Sequence, residues 1–304
     1  MAGSTTWSMR CGWPRATNKA MGSDATTVGQ ALDAAAAVLS DAGVPEARHD
    51  VLRLWADLNR QSPAEVLLHR DRMMSPADSV RLSGALQRRV EGEPLAYVTG
   101  WAGFRHLTLI ADRRALIPRP ETEGLVDAAL EMVSTGLAAD IGTGTGAIAL
   151  SLRAEAAFDE VFGVDLSPDA LELARNNGVL TGLPVTWIEG DLVAPLAGRQ
   201  VDLLVSNPPY LTTAEYDSLD RSVRDYEPGM ALVGGEDGQR LLRRLIREGL
   251  AAVKPGGWLA LEVDCRRADD TARVAAATGW TNVTIRDDLF GRARYVLAQR
   301  GRSA

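Results

Sequence analysis

The sequence predicts an α/β protein: a seven-stranded, doubly wound sheet with a small helical domain in front of it. Three observations carry this. From residue 137 onward, short apolar runs alternate with segments of helical periodicity, the pattern of parallel strands joined by crossover helices. A glycine-rich turn, Asp140-Ile141-Gly142-Thr143-Gly144-Thr145-Gly146-Ala147, follows the first run. Residues 26–91 carry helical signals alone.

Composition bounds the reading first. Of the 304 residues 46% are hydrophobic and 24% charged, which excludes a disordered chain. No apolar run approaches the ~18 residues that cross a bilayer. Two cysteines, Cys11 and Cys265, exclude a disulfide-stapled scaffold. His49, His69 and His106 lack metal-ligand spacing, so no metal site is expected. The net charge is −7, and residues 113–304 alone hold 21 basic against 28 acidic residues. That balance suits nucleic acid poorly.

Residues 1–24 show no periodicity and read as a disordered tail, with Met21 a plausible start. They lack the apolar stretch of a signal peptide, and the expected location is the cytoplasm. Residues 25–92 form the helical domain. Val28, Leu32, Ala35, Ala36 and Leu39 share one helix face, and Gly43 with Pro45 ends that helix. A second helix runs through Val51, Leu52, Trp55 and Leu58. Ser62-Pro63 and Ser75-Pro76 each place a capping serine before a proline at the first helical position. Residues 93–112 read as a β-ribbon linker, from Phe104, Leu107, Leu109 and Ile110. The double-proline loop 116–122 then leads into a helix at about 121–133, opening a catalytic domain over 113–304. Strands are expected at 137–141, 160–164, 184–188, 201–205, 257–263, 282–286 and 294–298. No helix separates the last two, so they should pair antiparallel.

The glycine turn marks a cofactor site. Glycine lets the chain turn tightly and lets a ligand lie against bare backbone. Asp165, 21 residues beyond Gly144 at the second strand's end, is placed to accept hydrogen bonds from ribose hydroxyls. Gly142-x-Gly144-x-x-Ala147 also satisfies a dinucleotide fingerprint, so NAD and S-adenosylmethionine both stand at this point. Asp140 leans toward the second, because a carboxylate pairs with an α-ammonium and repels a pyrophosphate.

Asn207-Pro208-Pro209-Tyr210 follows the fourth strand, at the sheet end where such folds bind ligands. Two prolines fix the backbone and remove two N–H donors, leaving acceptors exposed. Asn207 Oδ1 and the Pro208 carbonyl can each take one hydrogen of a planar NH₂ group, with Tyr210 packed on its face. Asn207, Pro208 and Tyr210 are the catalytic candidates, and Asn207 to Tyr210, with Pro209, the acceptor site.

These motifs together resemble class I S-adenosylmethionine-dependent methyltransferases acting on planar nitrogens. Gly92 to Tyr97, Phe104, Leu116 to Glu123, Tyr226-Glu227-Pro228 and Gly234 to Gly238 narrow the resemblance to HemK-type protein-(glutamine-N(5)) methyltransferases, over about residues 26–300. The resemblance implies a methyltransferase sheet, S-adenosylmethionine as cofactor, and peptide chain release factors as the protein substrate, modified at the glutamine of a Gly-Gly-Gln motif. It implies that Asp140, Gly142, Thr143, Gly144, Thr145, Gly146, Asp165 and Asn207 hold the cofactor. Asp191 and Leu192 would flank its adenine. The family often has an aromatic at that second position, and here the sequence offers Leu192 for apolar packing instead. Glu262-Val263-Asp264 departs from the family's usual Glu-aliphatic-Gly. Arg119, Glu121 and Glu123 either line the substrate mouth or form a salt-bridged helix start.

Other readings are weaker. A nucleic-acid adenine N-methyltransferase would share the tetrapeptide, yet the chain has two lysines, Lys19 and Lys254, and no basic run for a phosphate backbone. A nicotinamide oxidoreductase leaves Asn207 to Tyr210 without a role. A helical adaptor with a relic cofactor domain sits badly with intact motifs. The helical domain is expected to dock the protein substrate, or else to cap the catalytic domain. A monomer without direct nucleic-acid or membrane contact is expected.

Overall fold

A computed structural model describes residues 26–302, so the expected tail, Met21 and Cys11 lie outside the described residues. Two compact units divide the chain between Thr99 and Gly100.

The first unit is helical: α1 (Val28–Asp41), α2 (Ala47–Asn59), α3 (Pro63–Leu68), α4 (Pro76–Val90) and α5 (Leu95–Thr99). Thr27 and Ser62 each close a capping box on the glutamine or glutamate three residues on, and Ser75 caps α4 through Asp78 N. The periodic residues do what their spacing suggests. Val28, Leu32, Leu39, Val51, Trp55, Val66, Leu82 and Leu86 form one buried cluster. Helix α5 falls within the span read as ribbon linker. The Pro94 carbonyl accepts from Tyr97 N and Val98 N to start it, and Arg88 reaches the Tyr97 and Val98 carbonyls.

The second unit opens with the hairpin β1 (Trp101–Phe104) and β2 (Leu107–Ile110), then α6 (Pro120–Met132). There follow β3 (Thr135–Ile141), α7 (Ala147–Glu155), β4 (Ala157–Asp165), α8 (Pro168–Thr181), β5 (Thr186–Glu189) and β6 (Val201–Ser206). The short helices α9 (Thr213–Asp217) and α10 (Arg221–Arg224) precede α11 (Arg240–Ala252), β7 (Val253–Glu262), α12 (Ala268–Thr278), β8 (Trp280–Asp287) and β9 (Ala293–Arg300). The seven-stranded sheet has the order β5-β4-β3-β6-β7-β9-β8. Pairing is parallel from β5 to β7 and antiparallel between β7 and β9; β8 and β9 pair antiparallel, as the missing helix between those two predicts.

Strand alternation builds two cores. Ala138, Leu203, Val205, Ala260 and Leu297 face one side, against Leu125, Val126 and Ala129 of α6 and Leu150 and Leu152 of α7. Their neighbours Ala139, Ile141, Leu204, Leu259, Leu261 and Val296 face the other, against Leu242, Leu245 and Ile246 of α11. The chain winds outward from β3 through β4 to β5, then returns to β6 on the other side of β3. Ligand crevices open at the carboxyl ends of strands at such a reversal. The fold therefore brings the segments after β3, β4, β5 and β6 side by side.

Candidate active site

Those four strand ends, the Arg114–Arg119 loop and Thr122 at the start of α6 line an open cleft. Its wall includes Gly142, Thr143, Gly144, Thr145, Asp165, Asp191, Leu192, Asn207 and Pro209, together with Phe104 from the hairpin. The structure thus brings most of the sequence candidates together. Asp140, Gly146, Pro208 and Tyr210 stand behind or beside this wall.

The turn after β3 is tied down from within. Gly142 and Gly144 have φ of 73° and 56°, left-handed values that an L side chain strains to adopt. A Cβ added to Gly142 would meet nothing within 4 Å, so its backbone faces open space. Gly142 N and Thr143 N both donate to the Val164 carbonyl, at 2.8 and 2.9 Å, and Gly146 N donates to the Thr143 carbonyl. Gly144 N donates to Asp165 Oδ2 at 2.8 Å. Four amides of the turn are therefore spent on protein acceptors, where a pyrophosphate would need free donors. Asn177 of α8, wholly buried, adds a clamp by donating from Nδ2 to the Thr145 carbonyl at 3.0 Å.

Asp140 is fully buried at the end of β3. Its Oδ2 accepts from Thr143 Oγ1 at 2.6 Å and from Ala149 N at 3.2 Å, while Oδ1 has no hydrogen-bond partner. Burial pushes its carboxyl up to about 7. Asp165 accepts from Ser167 N through Oδ1 at 2.9 Å, and burial raises its carboxyl as well. Two carboxylate oxygens offer about four lone-pair sites, so acceptor capacity remains on the cleft side. Beyond β5, Asp191 is held by Arg244 Nη2 at 2.9 Å. Leu192 adopts a φ of 49°, an unusual value for a branched residue, and this turns its side chain to the cleft wall.

After β6, Pro208 is buried and Tyr210 half-buried. Burial pushes the Tyr210 hydroxyl up to about 12, with Glu262 and Arg294 nearby. Leu211 bridges to Val233, and Gly234 and Gly238 lie so close to the Pro209 and Tyr210 carbonyls that a Cβ would stand 2.4 Å from either oxygen. This close approach is the use of the glycine-rich segment that sequence reading left without a role.

Asn207 sits in a chain of hydrogen bonds. Its Nδ2 donates to Thr122 Oγ1 at 3.0 Å, and Thr122 Oγ1 donates to Glu262 Oε2 at 2.7 Å. Glu262 ends β7 and is almost fully buried; burial pushes its carboxyl up to about 7. At the mouth, Arg119 Nη2 donates to Glu227 Oε1 at 2.6 Å, and Ile117 N donates to the same buried carboxylate at 3.2 Å. Glu123 instead accepts from Arg105 N at 3.0 Å and anchors the hairpin, and the Glu121 carbonyl accepts from Tyr295 Oη. Sequence reading missed Thr122, Glu262 and Asn177 as parts of the site. The available signal for Glu262 was an ionisable residue closing the apolar run of β7.

Residues 30–100 match the family described as PrmC N-terminal domain, and residues 122–223 match methyltransferase small domain. A release factor glutamine methyltransferase of Deinococcus radiodurans is 43% identical over 88% of this chain and 97% of its own. One of Moorella thermoacetica is 39% identical over 90% of this chain and 99% of its own. The chain belongs to the release factor glutamine methyltransferase family. A methyltransferase from Pyrococcus furiosus superposes on 72% of the chain with a TM-score of 0.51 at 18% identity, which shows the shared fold. As a member of this family the protein is an S-adenosylmethionine-dependent methyltransferase. The residues present fit that cofactor on their own chemistry. Asp140 carries an unpartnered buried oxygen, Gly142 leaves bare backbone toward open space, and four of the turn's amides are already taken.

Proposed function

We propose that this protein methylates the side-chain amide nitrogen of the glutamine in the Gly-Gly-Gln motif of peptide chain release factors. Asp140, Gly142 to Gly146, Asp165, Asp191 and Leu192 hold S-adenosylmethionine, and Asn207 to Tyr210 hold the glutamine. When bound, the cofactor supplies an electrophilic methyl group on a sulfonium.

One observation carries the acceptor half of this reading: Asn207 and Pro209 share a cleft wall with Asp165 and the glycine turn. An amide nitrogen is a poor nucleophile, because its lone pair is delocalised into the carbonyl. Two acceptors, Asn207 Oδ1 and the Pro208 carbonyl, fix its two hydrogens and so fix the direction of the nitrogen. Such orientation contributes up to ~7–11 kcal/mol in favourable cases. The same dipoles favour the positive charge that grows on nitrogen as the methyl group arrives. The amide proton is then acidic enough to pass to water. Phe104 and Tyr210 supply the apolar and aromatic surface beside the acceptor.

The names of the curated relatives support the release-factor substrate, and the acidic catalytic unit disfavours a nucleic acid. The helical unit, residues 25–92 in the sequence reading, serves as the docking surface for the factor. The described residues include no helix long and apolar enough to cross a membrane, and the substrate class puts the reaction in the cytoplasm. Mass spectrometry of a bacterial release factor after incubation with the protein and cofactor tests the proposal. The expected result is one added methyl group on the peptide containing Gly-Gly-Gln; methylation mapped to any other residue contradicts it.

A further inference from the structure

We propose that Glu262 is a positioning residue which, acting through Thr122, holds the Asn207 carboxamide with Oδ1 rather than Nδ2 toward the acceptor. This deepens the proposed function and rests on its assignment of Asn207.

The argument is one of hydrogen-bond polarity. A carboxylate accepts and cannot donate. Thr122 Oγ1, 2.7 Å from Glu262 Oε2, must therefore spend its one proton on Glu262. Toward Asn207, 3.0 Å away, that hydroxyl oxygen can then only accept. Only the NH₂ end of the carboxamide can satisfy it, so Oδ1 is left on the opposite side. The two ends of an Asn side chain are nearly the same in shape, and sterics alone would not choose between them. The choice matters, because an NH₂ group offered to a substrate NH₂ is a donor facing a donor.

Thr122 and Glu262 are 5% and 1% exposed, so water competes little for the bond between them. Protonation of Glu262 removes the constraint. The carboxylic acid can donate to Thr122 Oγ1, the hydroxyl can turn to Asn207 Oδ1, and the carboxamide then presents Nδ2 to the cleft. The charged and titratable groups facing Glu262 are Arg294 and Tyr295 on β9, Arg119 and Glu121 at the start of α6, and Tyr210 after β6. The two arginines favour the carboxylate, while burial and Glu121 oppose it. Burial dominates and brings the carboxyl up to about 7, so the switch falls within the working pH range.

The test measures kcat at saturating cofactor across pH, with isotope-edited NMR of the Asn207 carboxamide alongside. Thr122→Val should lose up to about 10²-fold in kcat with unchanged cofactor affinity, as expected for a misaimed reacting group. Thr122→Ser should restore the rate. Glu262→Gln, which like the protonated acid can donate to Thr122 as well as accept from it, frees the carboxamide at every pH, so kcat should be lowered throughout and should lose its fall on the acid side of neutrality. The Asn207 NH₂ hydrogens should exchange slowly in the wild type and in Thr122→Ser, and fast in Thr122→Val. This NMR readout needs no substrate, so it judges the relay even if the release factor proves to be the wrong acceptor. Fast exchange in the wild type, full kcat in Thr122→Val, or an unchanged acid limb in Glu262→Gln overturns the proposal. A wild type that binds cofactor yet leaves release factor unlabelled overturns the glutamine reading instead.

Discussion

The backbone N–H of Gly144 donates to Asp165 Oδ2 at 2.8 Å, joining the glycine turn after β3 to the end of β4. One carboxylate thus shapes the turn and faces the cofactor cleft. Asp165→Ala should weaken S-adenosylmethionine binding by about 1.5–3 kcal/mol, the range for hydrogen bonds to a charged group. Calorimetry with the cofactor and its demethylated product measures this. Unchanged affinity would remove Asp165 from the site.

Asp140 gives cofactor binding a pH dependence. Its folded-state carboxyl lies at about 7 against an ordinary value of 3.8, so in the free protein it adds stability at low pH that is lost as pH rises through 7. Glu262, also raised to about 7, acts in the same direction. Thermal melting of the free protein should therefore shift downward between about pH 4 and 7. An α-ammonium paired with Asp140 reverses the sign for binding, because only the carboxylate attracts it. Cofactor affinity should rise through neutrality and binding should release a proton, both effects vanishing in Asp140→Asn. Affinity flat with pH in the wild type would leave Asp140 with the turn alone.

Trp187 on β5 fills the space over two glycines. A Cβ on Gly163 would come 2.3 Å from its ring, and one on Gly146 would come 2.8 Å from it. Gly163→Ala should cost about 1–3 kcal/mol of stability through overpacking. Gly142→Ala has room for its Cβ but must adopt a left-handed φ, so it should cost about 1–2 kcal/mol through backbone strain alone while also weakening cofactor binding. Melting curves and binding isotherms of the pair separate packing from ligand contact.

The sheet was legible in the sequence because buried parallel strands read as apolar runs, and the antiparallel β8–β9 pair because no helix lies between them. Strand ends were less so. β7 begins at Val253 rather than 257, since Gly256 and Gly257 read as a turn while the pairing with β6 absorbs them in a register shift. Helix α5 was hidden between Gly92 and Gly100. The candidate residues on the turns were visible because their types are special. Thr122 and Glu262 were not: they lie 140 positions apart, and only the placement of α6 over β7 brings them into contact. Asn177 looked like any polar helix residue until its face proved buried against β2 and the turn.

Arg119, on the cleft wall, pairs with the buried Glu227. Arg119→Ala leaves a buried carboxylate with only the Ile117 amide, and should destabilise the protein by about 3 kcal/mol. Adding Glu227→Gln should recover stability without restoring the bridge. A raised KM for the protein substrate in that double variant, at unchanged cofactor affinity, identifies the clasp as part of the substrate entrance. A wild-type KM would make it scaffolding.

Asn207 separates binding from chemistry. Asn207→Ala should lower turnover by about 10²–10³ while leaving cofactor affinity unchanged, the scale seen when one oriented polar group is removed from an active site. Stopped turnover together with lost cofactor binding would instead place Asn207 in the cofactor's own shell.

Transfer of label from methyl-labelled cofactor tests the central claim most directly. The protein is offered an intact bacterial release factor, the same factor with Gln→Ala in its Gly-Gly-Gln loop, a short peptide of that loop, and DNA or RNA. Strong label on the intact factor is expected, weak label on the peptide, and none on the Gln→Ala factor or the nucleic acids. Undiminished label on the Gln→Ala factor, or label on nucleic acid, would contradict a glutamine held by Asn207 and Pro208.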